Sequence, residues 1–339
     1  MTVAVDDILK KAAKEFGSDN VRIASETMKV EASSSGIPSL DYALGIGGYP
    51  RGGITMIFGP ESVGKSVMAY LAVAESQKSG EYAAYVDLEG SFDPEFAKHF
   101  GVDIDRLIVT TPESAEDTAK HAVHFAQEDA LGIVVVDSIG AMASERELDE
   151  DGKKQAYGQS GIITQMVKQL LPRIAKTKQT FLLLNQVRDT ANRQGLPIVH
   201  APGGHALHHA CAVIIQVKKG TSAGIKKASV PGETDPVEIG FRPVATIAKS
   251  KVSPPKRNAE WDLYHTKTDN NDVGVDIVES TVGVALRMGL VKQRGSWYDL
   301  WDESYQGRNA LVDFLKQDPN HIDKLREEMF KDVSIELTV

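Results

Sequence analysis

The sequence predicts an α/β fold: a mostly parallel, twisted sheet flanked by helices, with a short helix before it and a small α+β unit after it. Three observations carry that expectation. Short apolar runs alternate with helical patterns from residue 54 to residue 184, as strands buried on both faces do. The first run, residues 54–58, leads directly into Gly59-Pro60-Glu61-Ser62-Val63-Gly64-Lys65-Ser66, and a helical pattern follows over residues 67–74. Beyond residue 261 the chain turns polar and turn-rich before a short α+β pattern begins. The expected domains are 1–32, an N-terminal helix and strand; 33–260, the α/β core; and 261–339, the C-terminal α+β domain.

Composition sets limits. The 339 residues suffice for one large core with smaller flanking units. A hydrophobic share of 42% and a charged share of 25% are ordinary for a globular chain. The net charge of −9 argues against a protein coated in basic residues but leaves local basic patches open. Cys211 is the only cysteine, so no intrachain disulfide forms and a reducing compartment fits. The N-terminal residues lack the basic and apolar regions of a signal peptide, and no apolar run reaches membrane-spanning length. The expectation is a cytoplasmic protein with no membrane partner.

In chain order, residues 6–16 carry an amphipathic stripe, Ile8, Leu9, Ala12, Ala13 and Phe16, closed by Gly17. The stripe either packs on its own core or docks on a neighbouring subunit. Residues 21–31 read as a strand, 33–38 as a turn cluster, and 39–44 as a short helix ended by Gly45. Strands are expected at 54–58, 82–88, 107–110, 133–136 and 180–184. Helices between them are expected at 67–74, 94–100, 115–129 and 162–176. Residues 212–218 and 244–251 read as further strands that extend the sheet, with an antiparallel arrangement open. Residues 144–161 and 187–204 show no clear period and read as long irregular loops, a feature often tied to function. Residues 277–290, the turn at Gly295-Ser296-Trp297-Tyr298 and helices at 307–317 and 319–331 make up the C-terminal pattern.

The residues between Gly59 and Ser66 have the chemistry of a phosphate cradle. Gly59 and Gly64 let the backbone turn its N–H groups inward, and the following helix adds its positive end. Lys65 is suited to the β- and γ-phosphates of ATP, and the Ser66 hydroxyl to Mg²⁺. The strand at 133–136 ends in Asp137 and Ser138, and an aspartate there holds Mg²⁺ in phosphate-loop ATPases. Asp87 and Glu89 end another strand. Glu89, further out, is the better placed to deprotonate a water, or else it is a solvated strand end. Gln186 ends a third strand and begins the second loop, which makes it a switch candidate or a plain strand terminus. Lys249 and Lys251 alternate on a late strand and, on their own, read as a solvated edge. His200, His205, His208 and His209 lack a carboxylate or cysteine spacing that would support a metal reading.

These stretches resemble the bacterial RecA recombinase family. Residues 39–45, the loop from Gly59 to Ser66, Val86-Asp87-Leu88-Glu89, Val134-Val135-Val136-Asp137-Ser138, Asn185-Gln186-Val187-Arg188 and Gly203-Gly204-His205-Ala206-Leu207 carry the likeness. It runs from about residue 34 to residue 256. The resemblance implies a RecA-like ATPase core and a helical filament on single-stranded DNA with ATP and Mg²⁺ at subunit interfaces. The implied activity is homologous pairing and strand exchange with double-stranded DNA, driven by DNA-dependent ATP hydrolysis, in recombination and repair. By the same likeness Glu89 is the catalytic carboxylate, and Gln186 links the γ-phosphate to the second DNA loop. Asp93 and Phe96 meet the adenine, and Lys249 and Lys251 reach the ATP of the adjacent subunit. The N-terminal helix docks on a neighbour. Residues 144–161 and 187–204 become the DNA-facing loops, with Lys153, Lys154, Gln165, Arg173, Arg188, Arg193, Gly203 and Gly204 as DNA contacts. This sequence departs from the family in its shorter N-terminal helix, in Gln165 at a common arginine position, in His208 and His209 for a Lys-Phe pair, and in a reduced acidic tail. Rival readings are another phosphate-loop enzyme, a ring helicase or a small-molecule kinase, and an ATP-switched DNA-binding scaffold with little turnover.

Overall fold

The computed structural model describes residues 3–17, 21, 30–142, 158–191, 197–200, 203–221, 224–228, 235–268 and 272–331. Residues 1–31 and 32–339 form two compact units. In the first, helix α1 (Val3–Phe16) has Asp6 in its first turn and Lys14 in its last, each favourable to the helix dipole. Gly17, at φ 90°, returns its N–H to Ala13 O and ends the helix. Ile8 on its apolar stripe is 65% exposed. The strand expected at 21–31 falls largely outside the described residues.

The second unit opens with β1 (Ala32–Ser33), α2 (Pro38–Leu44) and β2 (Tyr49–Pro50). Its core runs β3 (Gly53–Gly59), α3 (Lys65–Lys78), β4 (Tyr82–Asp87), α4 (Pro94–His99), β5 (Leu107–Thr110), α5 (Ala115–Phe125), β6 (Leu131–Asp137), α6 (Gly158–Thr177) and β7 (Thr180–Gln186). There follow β8 (Arg188–Ala191), β9 (Pro197–His200), α7 (Gly204–Ala210), β10 (Val213–Lys219), β11 (Lys226–Ala228), β12 (Val237–Phe241), β13 (Pro243–Ser250), β14 (Asn258–Glu260), β15 (Leu263–Tyr264) and β16 (Gly274–Val275). The chain closes with α8 (Ile277–Met288), β17 (Lys292–Arg294), β18 (Trp297–Leu300), β19 (Glu303–Gln306), α9 (Arg308–Gln317) and α10 (Pro319–Phe330).

The main sheet has eight strands in the order β14-β13-β10-β3-β7-β6-β4-β5. The six from β10 to β5 run parallel, and β13 and β14 add antiparallel strands at one edge. The open question about the two late strands thus resolves both ways: β10 is parallel to β3, and β13 is antiparallel to β10. Apolar side chains alternate between two cores. Ile57, Tyr85, Val135 and Leu184 face α2 and α3 on one side. Met56, Val134, Val136, Phe181 and Leu183 face α5, α6 and α7 on the other. Parallel strands covered on both faces have no polar side, which is why the sequence shows continuous apolar runs.

Three features differ from the sequence expectation. Residues 187–204, read as an irregular loop, contain an antiparallel ribbon that pairs Arg188 with His200 and Ala191 with Pro197. Pro197 opens its strand, where a missing N–H is tolerated, and its presence among glycine and charge hid the alternation. Helix α5 stops at Phe125 rather than Asp129. The buried Gln179 amide donates to Phe125 O and Glu128 O, satisfying carbonyls that another turn would have taken. A four-stranded sheet, β11-β12-β15-β16, had no sequence signal because its strands are only two to five residues long.

The C-terminal elements share a small apolar cluster of their own that includes Val282, Leu300, Leu311, Leu315 and Leu325. They are also tied to the sheet core. Arg326 of α10 donates to Glu75 of α3 at 3.2 Å and to Ser34 Oγ at 3.1 Å. Below that bond lies Asp41, fully buried in α2, accepting from Ser34 Oγ at 2.7 Å and from Ser35 N at 2.8 Å. Burial pushes the Asp41 carboxyl up to about 7, against the pull of the Ser35 and Ser34 hydrogen bonds and the charge of Arg326. An acid whose folded pKa is raised keeps its proton in the native state while the unfolded chain has lost it. Its stabilising contribution is complete below about pH 4 and is lost as pH rises to about 7. Urea unfolding across that window should therefore show Asp41→Asn lacking a downward slope that the wild type has. Parallel slopes would remove Asp41 as the source.

Candidate functional site

Parallel register decides which side chains meet. Gly59, the first residue of the phosphate loop, pairs with Gln186 across β3 and β7. Asp87 pairs with Asp137 across β4 and β6. The carboxyl ends of four strands therefore deliver the loop, two aspartates and a glutamine to one edge, the usual ligand crevice of an open α/β sheet.

The loop itself is shaped for close approach. A Cβ on Gly59 would sit 2.2 Å from Val217 O of β10. Gly64 has φ 90° and caps α3, while Ser62 also takes a left-handed backbone at φ 57°. Alternation of this kind turns successive N–H groups to one side. Lys65 folds back on the loop, donating to Gly59 O at 2.9 Å and Pro60 O at 2.6 Å. Burial holds its ammonium below the usual lysine range, opposed by Asp137, Glu89 and Glu61.

Asp137 is 6% exposed and receives two hydroxyls on Oδ2, from Tyr85 at 2.7 Å and from Ser66 at 3.3 Å. Burial raises its pKa; the Tyr85 hydrogen bond lowers it, and Glu89 and Asp87 raise it further by their charge. The Asp137–Ser138 peptide is cis. Beyond that bond Ser138, 1% exposed, donates to Glu89 Oε1 at 2.5 Å. Gln186 Nε2 donates to the same oxygen at 3.1 Å. Glu89 lies past the end of β4 and is exposed, while Asp87 is buried and accepts from Phe92 N at 2.8 Å. The two acids expected on one strand face thus do different work: Asp87 holds the turn after β4, and Glu89 reaches across to β6 and β7.

The arrangement fits a magnesium–triphosphate group. Gly59 lets the loop lie against β10 where a Cβ would not fit, Lys65 lends its charge to main-chain carbonyls, and the oxygens of Ser66 and Asp137 are hard donors gathered beside surplus negative charge.

Other predicted residues take their places around this centre. Asp93 caps α4, accepting from Glu95 N at 2.9 Å and Phe96 N at 3.1 Å. Phe96 is exposed and stands edge-on to Tyr70 and Phe100. Lys249 and Lys251 both point at the end of α7. Lys249 Nζ donates to His208 O and, at 3.2 Å, to His209 O, and Lys251 Nζ donates to His209 O at 2.7 Å. His205, His208 and His209 are exposed on the same helix, and burial together with the charge of Lys249 lowers the His208 pKa. The two candidate loops meet downstream: Gly204, opening α7, faces Ser160 near the start of α6.

Gln165 does not join the phosphate site. It lines a cavity of about 380 Å³ between α5 and α6, with Lys120, Val123 and Met166. Arg173 lies toward the far end of α6 and donates to Gln169 O at 2.6 Å. Arg188 starts β8, whereas Lys153, Lys154 and Arg193 lie outside the described residues. Sequence reasoning missed Tyr70 and Tyr85, which read there as helix and strand core.

A family model described as the RecA N-terminal domain matches residues 3–269. Among curated proteins, Protein RecA of Lactobacillus johnsonii is 35% identical over 332 residues, which is 96% of this chain and 88% of its own length. Protein RecA of Thermus aquaticus is 32% identical over 333 residues, 97% of this chain and 94% of its own. Among solved structures, the crystal structure of the RadB recombinase aligns with a TM-score of 0.51 at 24% identity, covering 68% of this chain and 96% of that one, a likeness of fold. Among the described residues no helix is long and apolar enough to cross a membrane.

Gly59→Ala tests the cradle. The added methyl must displace β10 or the loop, so nucleotide affinity is expected to fall by at least about tenfold, equal to roughly 1.4 kcal/mol, in calorimetric titration. Wild-type affinity would mean that the close approach at Val217 is not part of the binding geometry.

Proposed function

The chain belongs to the RecA family, and on that premise we propose how its own residues carry out ATP-dependent DNA recombination. The observation that carries the reading is the bonding of Glu89 to Gln186 at the edge where Lys65, Ser66 and Asp137 converge. A hydrolytic carboxylate and a residue two positions before a DNA-facing ribbon share one hydrogen bond. The ring-helicase and kinase readings, open from the phosphate loop alone, yield to the family match.

The triphosphate of ATP lies on the loop N–H groups, and Lys65 exchanges the carbonyls of Gly59 and Pro60 for phosphate oxygens. Ser66 and Asp137 are the residues that would hold Mg²⁺, which supplies positive charge to those oxygens. Asp93 and Phe96 bound the adenine. Glu89 orients a water and takes its proton as the water oxygen bonds the γ-phosphorus and the bond to the β-phosphate oxygen breaks. Gln186 turns from Glu89 to the γ-phosphate. Because β8 begins at Arg188, that turn is passed to the ribbon within two residues. The presence of the γ-phosphate is thereby coupled to the grip on DNA.

DNA contact is assigned to the segments that flank α6 and α7: Lys153, Lys154, Arg188 and Arg193 supply charge, and Gly203 and Gly204 supply N–H groups. Local charge of this kind binds phosphates despite a net charge of −9. The exposed stripe of α1 is assigned to a neighbouring subunit in a filament on single-stranded DNA, in the cytoplasm, where the filament pairs with double-stranded DNA.

Glu89→Gln tests the hydrolytic assignment. It keeps the shape and the bond to Ser138 but removes the base. ATP and single-stranded DNA binding should be retained while DNA-stimulated kcat falls by about 10²- to 10⁴-fold. Hydrolysis at the wild-type rate would transfer the base to another group, with Asp87 first in line.

Lys249 and Lys251 are assigned to the ATP of the adjacent subunit. Their present partners are main-chain carbonyls rather than carboxylates, so their charge is available to a phosphate. A cation supplied across an interface makes hydrolysis depend on assembly. Lys249→Ala/Lys251→Ala is expected to bind ATP yet lose DNA-stimulated turnover. Mixed with Glu89→Gln subunits it should regain part of that turnover, since some interfaces then join an intact Glu89 to intact lysines. Co-assembly without any regain would put the lysines in cis or outside the site.

A further inference from the structure

A buried phenol hydroxyl lies beneath the phosphate loop. Tyr85 sits inside β4 with 1% of its surface exposed, between Ala84 and Val86, in a core where phenylalanine would fill the same space. A phenol hydroxyl so placed is unfavourable unless it is bonded. Its proton goes to Asp137 Oδ2 at 2.7 Å. Behind it stands Tyr70 of α3, 3% exposed, with ring centroids 5.8 Å apart and the rings tilted by 34°.

Helix α3 approaches the Asp137 carboxylate from one side. Ser66 donates to Oδ2 at 3.3 Å, and Tyr70, one turn further on the same face, packs its ring on that of Tyr85. The Ser66 oxygen would also serve a cation, whereas the Tyr85 hydroxyl serves Asp137 alone. Its bond is the shorter of the two that fix the carboxylate. Tyr70 also packs edge-on against Phe92 at 5.9 Å and Phe96 at 6.2 Å. The brace thus spans from the aromatic at the base end of the site to the aspartate at its phosphate end.

We propose that Tyr85, its ring braced by that of Tyr70, is the positioning residue for Asp137: its hydroxyl holds the carboxylate in the cation-binding orientation. The inference rests on Asp137 being the cation-side carboxylate of the proposed function. Tyr85 does not touch substrate. Its contribution reaches the nucleotide only through Asp137, so it appears only when a cation is bound. That separates it from a packing role, which would weaken the site with or without a cation.

The test is binding of a non-hydrolysable ATP analogue to the full chain by calorimetry, once with Mg²⁺ and once with EDTA, for wild type and Tyr85→Phe. Losing one hydrogen bond to a charged group should weaken binding about tenfold or more in Mg²⁺ and leave the EDTA arm unchanged. The Mg²⁺ concentration at half-saturation should rise by about the same factor. Tyr70→Leu, which removes the ring packed on Tyr85, should show the same pattern at about threefold. If Tyr85→Phe has no cooperative melting transition, the Tyr70→Leu comparison decides alone. Equal binding to wild type in both arms overturns the proposal, and so does an equal loss in both, which marks Tyr85 as packing. A wild type whose binding is indifferent to Mg²⁺ overturns the reading of Asp137 itself and this inference with it.

Discussion

Every group assigned to the reaction depends on the parallel hydrogen-bond ladder through β3, β7, β6 and β4. Antiparallel neighbours would alternate their ends and scatter these residues over two edges. Parallel neighbours keep all carboxyl ends together, and their register then sets which residues face each other. Gly59 lies across from Gln186 and Asp87 from Asp137, so a slip of one residue would turn the catalytic side chains into the helix-covered cores. Close packing of the two cores opposes that slip, since each offset would move residues such as Val135 and Leu183 out of the core they fill and into the other. Core packing and catalytic geometry are here the same constraint.

The polar groups of the site bond one another. Lys65 is bonded to loop carbonyls, Ser66 to Asp137, and Glu89 to Ser138 and Gln186. Under the proposed function each of these bonds satisfies a polar group that a triphosphate, a cation or a water would satisfy in turn. Ligand binding would then be an exchange of partners rather than the creation of contacts from bare groups, which keeps its net free energy moderate. The same proposal makes Gln186 a two-state element, its amide bonded to Glu89 here and to a phosphate in the other state, two residues before the ribbon begins at Arg188.

A second cluster of bonds lies at the end of α7. Lys249 and Lys251 hold the carbonyls of His208 and His209, where a short helix presents its negative end. Helix α7 begins at Gly204, next to the start of α6, so the two segments proposed to face DNA and the two lysines are joined through a single helix. The histidines that stand in place of the family's Lys-Phe pair ride on that helix and are exposed.

The sequence by itself determined the phosphate loop, the order of strands and helices in the core, and the strand-end acids Asp137 and Glu89. Those features are local: a glycine spacing, an apolar run and a charge at its end are visible in a few consecutive residues. It also gave Gln186 as a switch candidate, because strand end and loop start coincide there. Only the tertiary structure decided which acids act together. Asp87 and Glu89 look equivalent along the chain, yet one ties down Phe92 and the other crosses to Ser138 and Gln186. The β8–β9 ribbon and the β11-β12-β15-β16 sheet were illegible because their strands are too short to display a period, and their pairing is made by main-chain groups. Tyr70 and Tyr85 were illegible for the opposite reason. Each fits its apolar pattern; the Tyr85 hydroxyl acquires meaning only when a distant strand brings Asp137 to within 2.7 Å, and the Tyr70 ring only when it meets Tyr85.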